Sequence, residues 1–174
     1  MIGYEPLVVF LLASLILAIT PGPDNLYVLM QSAVYGYKTG IFITLGLCTG
    51  LLIHSVAVAL GLTILLLSLP YTLSLLKLFG ASYLVYLSWR SYRAAAIEIS
   101  LQNHEALTTF QSYQRGIILN VSNPKVGLFF LAFLPQFTNI EQGGLVEQTL
   151  LLGFMFIAIT VIVFTVIALI SSSL

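Results

Sequence analysis

Thr20-Pro21-Gly22-Pro23-Asp24-Asn25 interrupts a long apolar segment that starts near Leu7 and resumes at Leu26-Tyr27-Val28-Leu29-Met30. Proline lacks a donor N–H and clashes with the preceding turn, so it cannot continue a helix. The residue before each proline is pushed out of the helical region as well. The backbone therefore opens here and leaves amides and carbonyls unpaired. At bilayer depth an opened backbone is tolerated only where it is buried in protein or lines a watery cavity. Asp24 and Asn25 sit at this opening. An acid at membrane depth is costly and points to a functional site. Asp24 also reads as the N-cap of the helix that follows, and capping and function can coexist.

The composition makes a membrane setting necessary. Of the 174 residues, 59% are hydrophobic and 7% charged, with mean hydropathy +1.06; a soluble domain carries about 25% charged residues. Six Lys and Arg against six Asp and Glu leave no basic footprint for nucleic acid. Cys48 is the single cysteine, so no intrachain disulfide, CxxC redox pair or multi-cysteine zinc site can form. Met1 to Pro6 lack the positive region of a secretory signal, so the first apolar segment is expected to be retained.

Leu7 to Ile19 is a half-span that makes one discontinuous span with Leu26 to Ala33. After a short turn at residues 35–40, a second span runs from about Ile41 into Leu62, carrying Gly46 and Gly50 on one face. That small-xxx-small spacing lets another helix approach closely. A third span runs from about Tyr71 to Trp89, contains Lys77, and closes on aromatic residues and arginines, the composition of a membrane interface. Residues 94–114 form a polar loop. The fourth span, from Arg115 to about Phe137, is broken at Ser122-Asn123-Pro124-Lys125, and a fifth runs from about Val146 to Ile170. Arg90, Arg93 and Arg115 flank the 94–114 loop, which places it in the cytoplasm together with Lys38 and leaves the N-terminus outside. Spans one and four are both broken at prolines and enter from opposite sides. That is the layout of an inverted repeat whose discontinuous helices meet at a midplane substrate site.

The expected fold is an all-α polytopic bundle of about five spans. Residues 1–93 form a first three-helix repeat, 94–114 a cytoplasmic loop, and 115–174 a second, incomplete repeat of two spans. Asp24, Asn25, Asn123 and Lys125 are the candidate substrate-binding residues. Asp24 and His54 are the candidates for proton coupling, and Pro21, Gly22, Pro23 and Pro124 open the helices. Each has a plainer reading. Asn25 and Asn123 could merely satisfy the opened backbone. His54 could simply hydrogen-bond a carbonyl. Lys125 could hold a substrate carboxylate, pair with Asp24, or snorkel towards the cytoplasm. It lies ten residues past Arg115, about 15 Å at helical rise and so near mid-bilayer. A metal site of His54, Cys48 and Asp24 lacks any known tight spacing, and neither a metal nor another cofactor is expected.

Thr20-Pro-Gly-Pro-Asp-Asn-Leu26, Gly36-Tyr-Lys-Thr-Gly40, Leu45-Gly46 with Gly50, and His54 before Ala59-Leu60-Gly61 resemble the first half of the LysE/RhtB family of amino-acid exporters. Lys77-Leu-Phe-Gly80 with Tyr83 and Tyr86, Arg115-Gly116 with Asn120-Val-Ser-Asn123-Pro-Lys125, and Phe129 to Phe137 extend the match over about residues 7 to 165. The resemblance implies a multi-pass exporter of amino acids or close derivatives in the bacterial inner membrane, driven by an ion gradient, with protons the expected ion. Family members usually carry six hydrophobic segments, and this chain shows five. The alternatives are a truncated, non-transporting homologue that needs a partner chain, and a metal or small-cation transporter. An intramembrane enzyme would need a nucleophile with a base, and no such pair stands out. The expected partners are the lipid bilayer, an amino-acid substrate, protons and, as a further candidate, a second copy of the chain; nucleic acid is not among them.

Overall fold

The computed structural model describes residues 2–68, 107–139 and 142–173, together with the isolated helical positions Leu78, Ser82, Val85, Tyr86 and Trp89; for residues 62–68 it describes the helical backbone only. Within these residues the chain is helical and contains no strand. Helices α1 (Tyr4–Ile19), α2 (Pro23–Tyr35), α3 (Tyr37–Ser68), α4 (Thr109–Val121), α5 (Pro124–Leu128) and α6 (Leu145–Ser171) follow in order. Between α5 and α6 lie a π-helical turn at Phe129–Phe133 and a 3-10 turn at Leu134–Phe137. Pro135 cannot donate to the carbonyl four residues earlier, and the backbone just before it takes the wider π turn. The third span and most of the 94–114 loop lie outside the described residues; residues 109–114, expected as loop, are helical instead, because the Thr108 capping box starts α4 six residues before Arg115.

Both proline breaks bend the chain. The axes of α1 and α2 differ by 53°, and the Thr109–Val121 and Pro124–Phe137 pieces differ by 51°. Tyr37–Gly61 within α3 and the whole of α6 are each long and apolar enough to cross a membrane, and each bent pair qualifies as one further span. Gly36, at φ 85°, turns the chain from α2 into α3 with no free loop. Such a left-handed backbone suits glycine. Thr108 starts α4 with a reciprocal capping box: its hydroxyl accepts from Gln111 N, and Gln111 Oε1 accepts from Thr108 N.

α3 is the central element and packs chiefly on α4 and α6. Its contact with α4 is backbone on backbone, as the glycine spacing predicts. A Cβ at Gly46 would run into the Tyr113 carbonyl oxygen, and one at Gly116 into the Ile43 carbonyl. Thr49 Oγ1 and the Tyr113 hydroxyl add a hydrogen bond across this seam at 2.9 Å. α3 and α4 run parallel, since Ile43 lies beside Gly116 and Gly50 beside Asn120. α6 runs antiparallel to α3, with Gly40 beside Ala168 and Ser55 beside Gly153. The two bent pairs run opposite to each other: Phe10 of α1 meets Phe129 and Phe137, and the far end of α1 meets Lys125. Two apolar clusters flank the breaks. One, around Phe10, Phe129, Phe130 and Phe156, lies towards Phe137; the other, around Val28, Ile43, Leu47, Phe164 and Ala168, lies towards Tyr35.

Candidate functional site

The two breaks meet. Asp24, in the first turn of α2, is 5% exposed and accepts from Asn123 Nδ2 at Oδ1 (2.7 Å) and from Asn120 Nδ2 at Oδ2 (3.1 Å). Gly22, not Asp24, stands at the α2 N-cap. The Asp24 side chain is therefore spent on the opposite break rather than on capping, although a carboxylate in the first turn still suits the positive end of the α2 dipole. Asn123 works in both directions: its Oδ1 accepts from Lys125 N at 3.0 Å and caps α5, while its amide nitrogen serves Asp24.

Opening the chain at Thr20 leaves the last carbonyls of α1 without intrahelical donors. Side chains supply them. Asn25 Nδ2 donates to Ala18 O at 2.6 Å. Lys125 Nζ donates to Leu17 O at 2.9 Å and to Thr20 O at 2.8 Å. Lys125 is 6% exposed and does not snorkel; its ammonium sits on the negative end of the α1 dipole. In place of the direct hydrogen-bonded pair with Asp24 that the sequence allowed, the ammonium goes to these carbonyls. Pro21, Gly22, Pro23 and Pro124 occupy the breaks as expected, with Pro23 and Pro124 at the first turn of the helices they begin.

His54 makes its hydrogen bond to the main chain and not to the Asp24 carboxylate. Its Nε2–H reaches Asn120 O at 3.4 Å, and its ring stacks on Phe130 with centroids 5.8 Å apart. Cys48 is half-buried and free. Among the described residues no three His, Cys, Asp or Glu side chains come together, so His54, Cys48 and Asp24 do not assemble a ligand set.

Asn120 is the site residue that reading the sequence missed. It is 2% exposed, and Gly50 makes room for it: a Cβ at Gly50 would lie 2.7 Å from Asn120 Oδ1. The available signal was its position three residues before Asn123, in the last turn of α4 just ahead of the break. Asn120, Asn123, Asp24, Asn25 and Lys125 share a cavity of about 30 Å³ whose other walls include Leu47, Leu51, Thr160 and Phe164. That is room for about one water, far less than an amino acid. Apolar clusters lie on both sides of it.

The model of the LysE type translocator family matches residues 15–174. The chain is 35% identical over 161 residues to the homoserine/homoserine lactone efflux protein of Salmonella typhimurium, covering 90% of this chain and 75% of that one. It is 30% identical over 147 residues to the uncharacterized membrane protein YrhP of Bacillus subtilis, covering 79% and 69%. It is 28% identical over 132 residues to the leucine efflux protein of Salmonella choleraesuis, covering 75% and 62%. No solved structure matches.

Proposed function

We propose, from the premise that this chain belongs to the LysE type translocator family, that it exports small neutral amino acids or close derivatives from the bacterial cytoplasm across the inner membrane. Relatives named for homoserine, homoserine lactone and leucine efflux support the substrate class. The observation that carries the reading is the hydrogen bond from Asn123 to Asp24, which joins the two helix breaks into one buried polar site between opposed apolar clusters. Among the described residues the buried charges are one anion, Asp24, and one cation, Lys125, a pair that matches a zwitterion, whose own charges cancel. Asp24 is the carboxylate placed to exchange a proton during the cycle. Lys125 is the cation for the substrate carboxylate, and Asn25, Asn120 and Asn123 are the amides that orient it.

The test is efflux from proteoliposomes preloaded with homoserine, leucine and other neutral amino acids, with and without an imposed pH gradient. The reading expects gradient-stimulated loss of at least one of them. Efflux equal to that of protein-free liposomes for the whole panel contradicts it.

The same reading puts residues 94–114 in the cytoplasm, and the parallel packing of α3 and α4 supports it by placing Lys38 and Arg115 near one end of the bundle. A reporter that fluoresces only in the cytoplasm should be bright when fused after Gln102 and dark when fused after Gln142. The reverse pattern inverts the direction of the whole site.

A further inference from the structure

The C-terminal end of α1 is built to hold an ammonium ion. Two of its carbonyls, Leu17 O and Thr20 O, already accept from one, and the helix dipole presents its negative end there. Gly22 adjoins the ammonium: a Cβ at that position would stand in ordinary contact, 3.5 Å from Lys125 Nζ. An ammonium has three N–H donors, and Lys125 spends two on the carbonyls. Asn120, in the wall of the same cavity, keeps its Oδ1 buried with no partner among the described residues. A buried acceptor without a donor calls for an explanation. Main-chain carbonyls, a carboxylate and an amide oxygen without a partner among the described residues thus stand close to one small cavity.

We propose that this end of α1 is the seat for the substrate's primary ammonium group, and that Lys125 fills it as a tethered stand-in while the carrier is empty. An incoming zwitterion displaces Lys125 from the carbonyls, and the freed Lys125 ammonium takes the substrate's carboxylate. This rests on the exporter reading and narrows its substrates to zwitterions with a primary ammonium. Charge neutrality favours the exchange. The empty site holds one cation and one anion, and a zwitterion adds one of each, so neither state buries a net charge, which would be strongly unfavourable. A quaternary ammonium has no N–H for the carbonyls. The stand-in also lets the empty carrier close around a satisfied site. Without it, only the loaded carrier closes well, so exchange of substrate across the membrane outlasts net efflux.

Two variants test this. The full chain with Lys125→Ala, purified in detergent, is heated with 1-propylammonium chloride or with tetramethylammonium chloride at equal ionic strength. Propylammonium is expected to raise the Tm of the variant and leave the wild type unchanged, because there Lys125 already fills the seat; tetramethylammonium is expected to raise neither. No rise in the variant, or equal rises in both proteins, overturns the proposal. In proteoliposomes, Lys125→Met keeps the apolar stem, and its net efflux is expected to fall at least about tenfold further than its exchange. That is the factor lost with one hydrogen bond to a charged group. Equal falls in efflux and exchange overturn the displacement step. If the wild type itself moves no amino acid in these liposomes, the exporter reading fails, and the thermal shifts still decide whether the seat exists.

Discussion

Asp24→Asn leaves the protein folded and stops gradient-driven efflux, by at least about a hundredfold, the range seen when a proton-transfer group is lost. The fold survives because the new amide finds partners. Its Oδ1 takes the place of the Asp24 oxygen that accepts from Asn123, whose own Oδ1 is committed to Lys125 N. Its Nδ2 would face the donating nitrogen of Asn120, but Asn120 Oδ1 has no partner among the described residues, so that side chain can turn over and accept. What disappears is the charge. Among the described residues Lys125 is then left as a buried cation without a buried anion, and the proton-exchanging group is gone. The measurement pairs efflux under an imposed pH gradient with a Tm in detergent for the same preparation. A protein that still folds, with its Tm lowered because the buried Lys125 charge has lost its counter-charge, and efflux at background is the expected outcome. Full gradient-driven efflux at equal expression would remove Asp24 from the mechanism.

The second large effect is structural. Gly46→Leu pushes α3 off α4, because the first atom added already meets the Tyr113 main-chain carbonyl and the Gly116 Cα stands close behind it. Main chain cannot swing aside as a side chain can. The cost belongs at the upper end of the overpacking range, about 3 kcal/mol or more. Separating the helices also carries Asn120 away from Asp24, since Asn120 sits on the same seam beside Gly50. The expected result is loss of monodisperse, folded protein in detergent. Leu45→Ala is the control: its side chain is 45% exposed on the outer face of the same helix, and its removal should change the Tm little. Equal Tm values for Gly46→Leu and wild type would contradict the close α3–α4 contact.

Much of the fold was legible because its cues are local. Pro21, Pro23 and Pro124 open helices for reasons of covalent structure, and the long apolar runs of α3 and α6 need no partner to be recognised as spans. The Gly46 and Gly50 face was likewise a local pattern that found its tertiary use. The chemistry of the site was legible only in part. Asp24, Asn25, Asn123 and Lys125 could be singled out because polar groups at a break are expensive. Which of them bond to which depends on how two segments about a hundred residues apart cross. Lys125 goes to the α1 carbonyls and not to Asp24, and Asn25 turns back to Ala18. Asn120 lies inside a regular helix with no break to mark it, so its role emerges only once Asp24 is placed against it. The π turn at Phe129–Phe133 leaves even less trace, because its phenylalanines suit any apolar helix.

Everything proposed for transport depends on the two breaks forming one site, and one measurement addresses that directly. Asp24→Cys and Asn123→Cys are introduced together in a Cys48→Ser background, so that no other cysteine is present, and the protein in its membrane is treated with a mild oxidant or a short bifunctional thiol reagent. The native side chains touch, with Asn123 Nδ2 2.7 Å from Asp24 Oδ1. The account predicts a link within one chain, while the pair Asp24→Cys with Phe137→Cys, at the far end of the second bent pair, stays unlinked. If Asp24→Cys with Asn123→Cys stays unlinked, or the Phe137→Cys pair links as readily, the breaks do not share a site and the account is wrong.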